Sequence, residues 1–250
     1  MAPLSNITKV LITGFGAFQD VPNNPSYEVA SRLPTSLSDS IHLVVYPSAI
    51  PVAYHPVINL IPNLIQTHQP DIVLSIGVAP GRSYFAVEQT AHKNGYNRVP
   101  DVENKTFTAA ENDAVWGSQP PQLSTSLDLE DVVERWQDLT SNIRFPFEIG
   151  GDPKAKAKRI TKSMAGSFVD VRLGGNVMQV EDVRWSDNVG TYLCGFIYFT
   201  DMVEMGKAGK RNVAFMHVPM LEDEEEITTG VEVTVALVKA IVESWKESAV

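Results

Sequence analysis

Cysteine is almost absent from this 250-residue chain, which contains only Cys194. A single thiol cannot form an intramolecular disulfide, so the sequence excludes a disulfide-stapled fold and favours a reducing compartment. The chain also lacks any apolar run of the roughly 18 residues that a membrane-spanning helix needs. Its first residues, 1–6, lack the basic start and apolar stretch of a secretory signal. We therefore expect a cytoplasmic protein without a membrane partner.

Basic residues are in deficit, with 20 Lys and Arg against 30 Asp and Glu, a formal net charge of -10 and a pI near 5.0. Such a molecule as a whole repels a polyanion, so we expect no nucleic-acid partner. Hydrophobic residues make up 44% of the chain and charged residues 20%, which is ordinary globular usage and excludes wholesale disorder. The length permits one large α/β domain or two small ones.

Short apolar runs alternate with helix-like segments in the first part of the chain. The run Val10–Thr13 predicts a strand, and Asn24–Leu33 predicts a helix with proline in its first turn. Residues 41–46 and 71–77 predict further strands. Continuously apolar strands separated by helices are typical of a parallel sheet covered on both faces, so the sequence predicts an α/β fold.

Residues 104–183 interrupt this pattern with paired prolines and glycines, and we interpret them as an elaborated insertion in a single domain spanning the chain. Order returns at Tyr192–Phe199, which predicts a buried helix with its N-cap at residues 186–188. Residues 212–218 predict a strand, and the apolar spacing over 231–245 predicts a closing helix.

Cys194 is a candidate nucleophile because it stands near the start of the predicted helix. The helix dipole and the free N–H groups there stabilise a thiolate. The alternative is a small core residue, since Cys194 is surrounded by apolar neighbours in the sequence.

His217 ends a predicted strand, at the carboxyl edge where open α/β sheets place their sites. It is a candidate base for Cys194, although a structural histidine is the alternative. Glu88 follows the third predicted strand, where a carboxylate can orient an imidazole. Its alternative is a solvent-facing strand residue. No pair of histidines has metal-ligand spacing beside another ligand type, so we expect no metal.

Several blocks of the chain, taken in order, resemble type I pyroglutamyl peptidases, and specifically a eukaryote-like member with a long central insertion. The blocks are Val10–Phe18, Asn24-Pro25-Ser26, Gly77–Arg82, Val87-Glu88, Arg98–Asp101, Gly190–Cys194 and His217-Val218-Pro219. In that family a cysteine, a histidine and a glutamate form the catalytic triad, which by motif position implies Cys194, His217 and Glu88. The resemblance also implies a three-layer α/β/α sandwich with an open, mostly parallel twisted sheet. The implied activity is removal of an N-terminal pyroglutamyl residue from peptides.

Pyroglutamate is a flat, neutral lactam without a free amine, so its pocket needs apolar walls and backbone hydrogen bonds. The resemblance implies that Phe15 and Phe18 supply such walls, with loop-to-core anchoring as the alternative. Arg98 matches a family arginine near the oxyanion site, with a surface salt bridge as the alternative. Val78 stands in a substrate-binding loop that bears glutamine in many family members.

The implied mechanism proceeds through a thioacyl intermediate on Cys194 and requires no metal or organic cofactor. Two departures from the family leave open a catalytically inactive homologue that binds N-terminally blocked peptides. Val189 would place a branched side chain beside the substrate path, and Gly195 replaces a longer polar residue. A third interpretation takes residues 14–16 as half of a dinucleotide fingerprint, but Gln19 stands where its third glycine belongs. The sequence indicates no oligomeric state.

Overall fold

The computed structural model describes residues 7–19, 21–145, 176–178 and 182–248. The strands in this part of the chain are β1 (Thr8–Gly14), β2 (Ser36–Ser38), β3 (Ile41–Val45), β4 (Ile72–Val78), β5 (Phe85–Glu88), β6 (Thr90–His92), β7 (Gln122–Ser124), β8 (Arg144–Phe145), β9 (Asn176–Val177), β10 (Val183–Ser186) and β11 (Val213–Val218). Seven of them form one sheet in the order β10-β5-β11-β4-β1-β3-β2, and β6-β7 and β8-β9 form two small sheets.

The large sheet is mostly parallel. Strand β1 pairs in parallel with β3 and β4, β11 pairs in parallel with β4, and β10 pairs in parallel with β5. Antiparallel pairing occurs between β11 and β5 and between β2 and β3. The parallel strands need crossover connections, which helices provide.

The helices of the described residues are α1 (Pro25–Ser31), α2 (Tyr54–His68), α3 (Ala109–Trp116), α4 (Leu129–Thr140), α5 (Leu193–Gly206) and α6 (Glu224–Glu247). Apolar residues of α1, α4 and α6 join one core cluster on one face of the sheet. Apolar residues of α2, α3 and α5 join a second cluster on the other face. This three-layer arrangement confirms the predicted α/β/α sandwich. None of the helices that the structure describes is long and apolar enough to span a membrane.

Strand β4 explains why both faces need helices, because all seven of its residues are buried. The α1/α4/α6 core takes its alternate residues Ile72, Leu74, Ile76 and Val78. Val73 belongs to the α2/α3/α5 core, and Ser75 and Gly77 share its face by the period of a strand. Two small residues therefore lie beneath α5.

Aromatic packing fixes the position of α5 over this face. The ring of Phe196 lies in the middle of a cluster, with centroid distances of 4.8–5.1 Å. Its partners are Tyr54, Tyr96, Phe107 and Trp116. Aromatic pairs at such separations add roughly 0.5–1.5 kcal/mol each beyond the area that they bury.

The predicted N-cap of α5 is wrong. Tyr192 takes that position, without a side-chain cap hydrogen bond, instead of residues 186–188. The reason is that β10 continues to Ser186 and pairs there with Glu88, so the helix starts only after a further connecting loop. The predicted buried helix itself is confirmed and extends to Gly206.

Part of the interval 104–183 is described, and it contributes α3, β7 and α4 to the fold. Helix α4 packs on α6, and the Trp136 indole N–H donates to the Val233 carbonyl at 2.9 Å. Residues 146–175 and 179–181 lie outside the described residues. The interpretation of 104–183 as an insertion in a single domain stays a prediction.

A carboxylate is buried between α5 and the sheet. Asp201 has no exposed surface and accepts a hydrogen bond from the Ser75 hydroxyl at 2.7 Å, which in turn lies 2.9 Å from the Thr13 hydroxyl. Burial raises the pKa of Asp201 to about 8, against the opposing hydrogen bond from Ser75. The group is therefore protonated in the folded protein at neutral pH.

We predict that Asp201→Asn flattens the pH dependence of stability. The folded state keeps this proton up to about pH 8, whereas the ordinary value is 3.8. The contribution of Asp201 to stability is thus fully present below the unfolded value and declines as pH rises through the folded value, by about 1 kcal/mol per pH unit. Urea unfolding of wild type and variant from pH 5 to pH 8 measures the difference.

The exposed Asp113 on α3 supplies the matched control, because Asp113→Asn removes a carboxylate that water already solvates. That variant should retain the wild-type slope. Equal slopes in Asp201→Asn and wild type would contradict the assignment of a buried, protonated Asp201.

Candidate active site

The loop between β1 and α1 is held by the Asn24-Pro25-Ser26 block. Asn24 caps α1 by accepting from the Ser26 N–H at 3.1 Å, and its amide donates to the Gly16 carbonyl at 2.8 Å. The Ser26 hydroxyl accepts from the Phe15 N–H at 3.1 Å. A methyl group on Gly14 would lie 2.5 Å from the Ser26 carbonyl oxygen. Close packing of α1 on β1 therefore accounts for this glycine without a bound dinucleotide.

Gly77 leaves the space that the Cys194 sulfur occupies. A methyl group on Gly77 would lie 2.9 Å from Cys194 Sγ and 2.7 Å from the Phe215 ring. Gly77 pairs with His217 across β4 and β11, so their side-chain positions share one face of the sheet. The Phe215 and His217 rings meet edge to face with centroids 5.0 Å apart. The sulfur and the imidazole thus lie on the same face around one glycine.

His217 is bound to Glu88 beneath the surface. His217 Nδ1 lies 2.8 Å from Glu88 Oε1, and the two residues are 4% and 0% exposed. Because a carboxylate only accepts hydrogen bonds, Nδ1 carries the ring proton and Nε2 is left as the basic nitrogen. In the described part of the chain, no hydrogen bond joins this ring to the half-buried Cys194. Catalytic hydrogen bonds often tighten only in the substrate complex.

Arg82 completes this group, although the sequence pattern did not single it out. Its Nη1 donates to Glu88 Oε1 at 2.6 Å, and its Nη2 donates to the Asn188 carbonyl at 2.6 Å. Arg82 Nη1 also lies 3.5 Å from His217 Nδ1. Both atoms carry protons, so this approach is not a hydrogen bond but follows from their shared acceptor. The one signal in the sequence is that Arg82 ends the family-like block that begins at Gly77.

These contacts set the resting protonation states. Burial alone raises the pKa of Glu88, but the hydrogen bonds and charges of His217 and Arg82 outweigh it and lower the pKa to about 2. Burial lowers the pKa of His217, with Glu88 opposing and Arg82 assisting. Burial raises the pKa of Cys194 to about 12, and the Glu88 charge adds to this. At neutral pH the group is a carboxylate, a neutral imidazole and a thiol.

The prediction that the start of α5 holds a resting thiolate is therefore wrong. Cys194 is the second residue of α5, and its own backbone N–H lowers the thiol pKa, but burial has the larger effect. The N–H groups of a first helical turn still lack intrahelical acceptors. They remain suited to bind an oxygen that becomes negative during a reaction.

The two departures from the family pattern have structural explanations. A methyl group on Gly195 would collide with the Gly190 carbonyl oxygen, and Gly190 itself has φ +83°. Glycine at both positions lets the chain turn tightly into α5. Val189 is 4% exposed and belongs to the α2/α3/α5 core, so packing accounts for an apolar, branched side chain at this position. The observations that favoured an inactive homologue are thereby accounted for by packing.

Phe15 and Phe18 were expected to wall the lactam pocket. Phe15 lies on the sheet face that carries Cys194, whereas Phe18 contacts the cores on both faces of the sheet. Phe15 is 3% exposed within the α2/α3/α5 core, whereas the half-buried Phe18 packs against both cores. Val78 points to the opposite face, in the α1/α4/α6 core, because strand residues alternate. The Val78 side chain therefore packs on the face opposite Cys194, and a role of Val78 in substrate binding stays a prediction.

Arg98 lies in a loop beside the start of α5, since Gly95 of the same loop lies against the Thr191 side chain. Asp101 holds this loop by accepting from the Tyr54 N–H at 2.9 Å. The Arg98 side chain is exposed, and it has no hydrogen bond or ion pair within the residues that the structure describes. A role for Arg98 at the oxyanion site stays a prediction. The same described residues contain no group of three or more His, Cys, Asp or Glu that could hold a metal ion.

Comparison with known proteins relates this arrangement to one family. A family model described as "Pyroglutamyl peptidase" matches residues 8–135. The pyrrolidone-carboxylate peptidase of Bacillus subtilis is 37% identical over 217 residues, which cover 86% of this chain and 80% of that protein. The chain belongs to the pyroglutamyl peptidase family. The pyroglutamyl-peptidase 1 of Mus musculus is 29% identical over 85% of this chain and 79% of its own length.

Solved structures of the family share the fold. A mutant pyrrolidone carboxyl peptidase from Pyrococcus furiosus superimposes with a TM-score of 0.66 at 16% identity, over 95% of this chain and all of that one. Pyroglutamyl peptidase I from Bacillus amyloliquefaciens gives a TM-score of 0.64 at 20% identity, over 94% of this chain and 96% of that one. The family match over 8–135 contains Glu88 but ends before Cys194 and His217. The assignment of those two residues rests on the geometry described above.

We predict that Gly77→Ala displaces the Cys194 sulfur and lowers kcat/KM on a pyroglutamyl amide by about 100-fold or more, since a misplacement of 1 Å can cost that much. Crowding of the Phe215 ring should also destabilise the fold by about 1–3 kcal/mol. Steady-state kinetics and thermal unfolding measure the two effects.

Gly81→Ala is the matched control, because a methyl group there meets nothing within 4 Å. It should leave kinetics and unfolding close to wild type. Wild-type turnover by a folded Gly77→Ala variant would show that the sulfur does not depend on this space.

Proposed function

We propose that this chain is a cysteine omega-peptidase that hydrolyses the bond after an N-terminal pyroglutamyl residue through a thioacyl intermediate. The observation that carries the proposal is the buried His217 Nδ1 to Glu88 Oε1 contact of 2.8 Å on the sheet face where Cys194 is half-buried. Nucleophile, base and orienting carboxylate are the three parts that covalent acyl transfer needs. Membership of the family agrees with this role.

Formation of the thioacyl intermediate begins from the neutral pair. His217 Nε2 accepts the Cys194 proton while the sulfur attacks the pyroglutamyl carbonyl carbon, and the carbonyl π electrons move to its oxygen. Backbone N–H groups at the start of α5 bind this oxyanion. The imidazolium that results is stabilised by Glu88, which is ionised before the reaction starts. This stabilisation offsets the high pKa of the resting thiol.

Collapse of the oxyanion breaks the carbon–nitrogen bond. The His217 imidazolium donates its proton to the leaving amine, and a thioester remains on Cys194. Water then attacks the thioester carbon while His217 accepts one water proton. The carbon–sulfur bond breaks, free pyroglutamate leaves, and the imidazolium returns its proton to the sulfur.

The site suits a blocked N-terminus better than a free one. An N-terminal ammonium needs an anionic partner when it leaves water. Glu88, the carboxylate next to the base, already accepts from His217, Arg82 and the Asn188 N–H. A neutral lactam needs no such partner and gains from the apolar ring of Phe15. We extend the proposal to a peptide with an N-terminal pyroglutamyl residue as the partner, without nucleic acid or membrane, and to a cytoplasmic location, where Cys194 stays reduced.

The first test is hydrolysis of a pyroglutamyl-coumarin amide. Wild type should turn it over, and Cys194→Ala should lose more than about 1,000-fold because the nucleophile is gone. A prolyl-coumarin amide, which keeps the ring but has an amine instead of the lactam, is the matched substrate and should not be cleaved. Undiminished activity of Cys194→Ala would refute the assignment. An inert wild type whose Tm rises with a pyroglutamyl peptide would instead identify a binding protein.

The second test addresses Glu88. In Glu88→Gln the imidazolium loses its countercharge, and the new amide can donate to Nδ1 and so force the wrong tautomer. The analogous change in a serine protease costs about 10⁴ in kcat, and we expect a loss of about 10³ or more with little change in KM. Substitution of Gln89, the neighbouring residue, by Ala is the comparison. A loss of less than tenfold in Glu88→Gln would remove the carboxylate from the mechanism.

A further inference from the structure

The Arg82 guanidinium bridges two parts of the site. One nitrogen donates to the carboxylate of Glu88 on β5, and the other donates to the Asn188 carbonyl in the loop that leads from β10 to α5, each at 2.6 Å. Only 15% of the Arg82 side chain is exposed. Such a fork fixes direction as well as distance, which an ammonium group does not.

The backbone of Asn188 is held on both sides of its α-carbon. Its carbonyl accepts from Arg82, and its N–H donates to Glu88 Oε2 at 2.9 Å. Arg82, Glu88 and the Asn188 backbone therefore form a closed ring of hydrogen bonds. Past Asn188 the chain makes the tight turn at Gly190 and enters α5, which carries Cys194. The ring thus ties the path of the nucleophile to the carboxylate that orients the base.

Aromatic packing restricts Arg82 further. Its guanidinium carbon lies 5.7 Å from the centroid of the Tyr84 ring, and the Arg184 guanidinium carbon lies 3.7 Å from the same centroid. Stacking of this kind stabilises a cation without using its hydrogen bonds. Arg184 is therefore a second cation on the same ring.

We propose that Arg82 is a positioning residue with two separable actions: its fork holds the Asn188 peptide and hence the start of α5, and its charge keeps the Glu88–His217 pair as carboxylate and neutral imidazole. The proposal rests on the peptidase function proposed above. A buried carboxylate beside an imidazole favours protonation of the ring unless another cation compensates the negative charge. Arg82 is that cation, and it leaves His217 free to act as the base.

The groups that face the reacting pair come from separate stretches of the chain. Glu88 on β5 and Arg82 in the loop after β4 face both His217 and Cys194. Tyr96, in the loop before α3, and Tyr192, at the start of α5, face Cys194. Burial raises the pKa of both tyrosines, so they stay neutral while His217 titrates. Arg82 lowers the pKa of Glu88, His217 and Cys194 alike. Its removal should therefore shift the pH profile upward.

Arg82→Gln and Arg82→Lys separate the two actions. Both variants lose the fork, so kcat should fall at least about tenfold in each. Arg82→Gln also loses the positive charge, whereas Arg82→Lys keeps it. Without that charge His217 protonates more readily, so the acidic limb of the plot of kcat/KM against pH should move upward by about 1 pH unit in Arg82→Gln. Arg82→Lys should keep the wild-type limb. Arg184→Gln, which removes a cation from the same Tyr84 ring, should keep both the limb and kcat.

The rate at which iodoacetamide alkylates Cys194 measures the reactivity of this thiol without any peptide hydrolysis. The chain has no other cysteine that would react. At pH 9 the charge-retaining Arg82→Lys should react about tenfold faster than Arg82→Gln, since the cation favours the thiolate. Thermal unfolding establishes that each variant is folded.

Each result supports or overturns one part of the proposal. A wild type without turnover would overturn the proposed peptidase function, and the alkylation ratio would then still test the charge of Arg82. Turnover by wild type together with an unmoved limb in Arg82→Gln would overturn the charge action. Undiminished kcat in Arg82→Lys would overturn the action of the fork. Equal alkylation rates in the two Arg82 variants would contradict the charge action independently.

Discussion

Glu88 is an ionised carboxylate without exposed surface, and a charge in that position is stable only when donors surround it. Its donors are His217 on β11, Arg82 in the loop after β4 and the N–H of Asn188 before α5. Arg82 is the cation among these donors, and removing it would leave buried charge uncompensated, at a cost of about 3–5 kcal/mol by analogy with other broken buried pairs. One electrostatic requirement thus joins three separate stretches of the chain and keeps His217 and the loop that leads to Cys194 close to Glu88.

Close approach of backbone is the second constraint on this site. Gly14 admits α1 against β1, Gly77 admits the Cys194 sulfur over β4, and Gly195 admits the Gly190 carbonyl against α5. Each contact is one that a methyl group would prevent. In the resulting compact site, burial of the side chains keeps the thiol protonated and the imidazole neutral. In the proposed mechanism, new charge forms only when the Cys194 proton moves to His217, where Glu88 and the N–H groups at the start of α5 stabilise the products.

Much of the fold followed from local patterns. The continuously apolar β4 and the proline-initiated α1 agree with their predictions because strand burial and helix starts depend on neighbouring residues. The N-cap of α5 differs from its prediction, because the loop before this helix is held by Glu88, which lies far away in the sequence. Local patterns also did not show that Val189 is buried or that Val78 joins the α1/α4/α6 core, since packing partners decide which core a side chain joins.

The amino-acid sequence by itself determined the α/β class, the family and the three residue types needed for acyl transfer, because these depend on composition, period and the order of short motifs. Only the tertiary structure decided that Arg82 stands beside Glu88, that Arg98 is exposed, and that the Cys194 thiol rests protonated. Hydrogen bonds between distant residues and the loss of water around a thiol are properties of the folded neighbourhood. No local stretch of chain contains them.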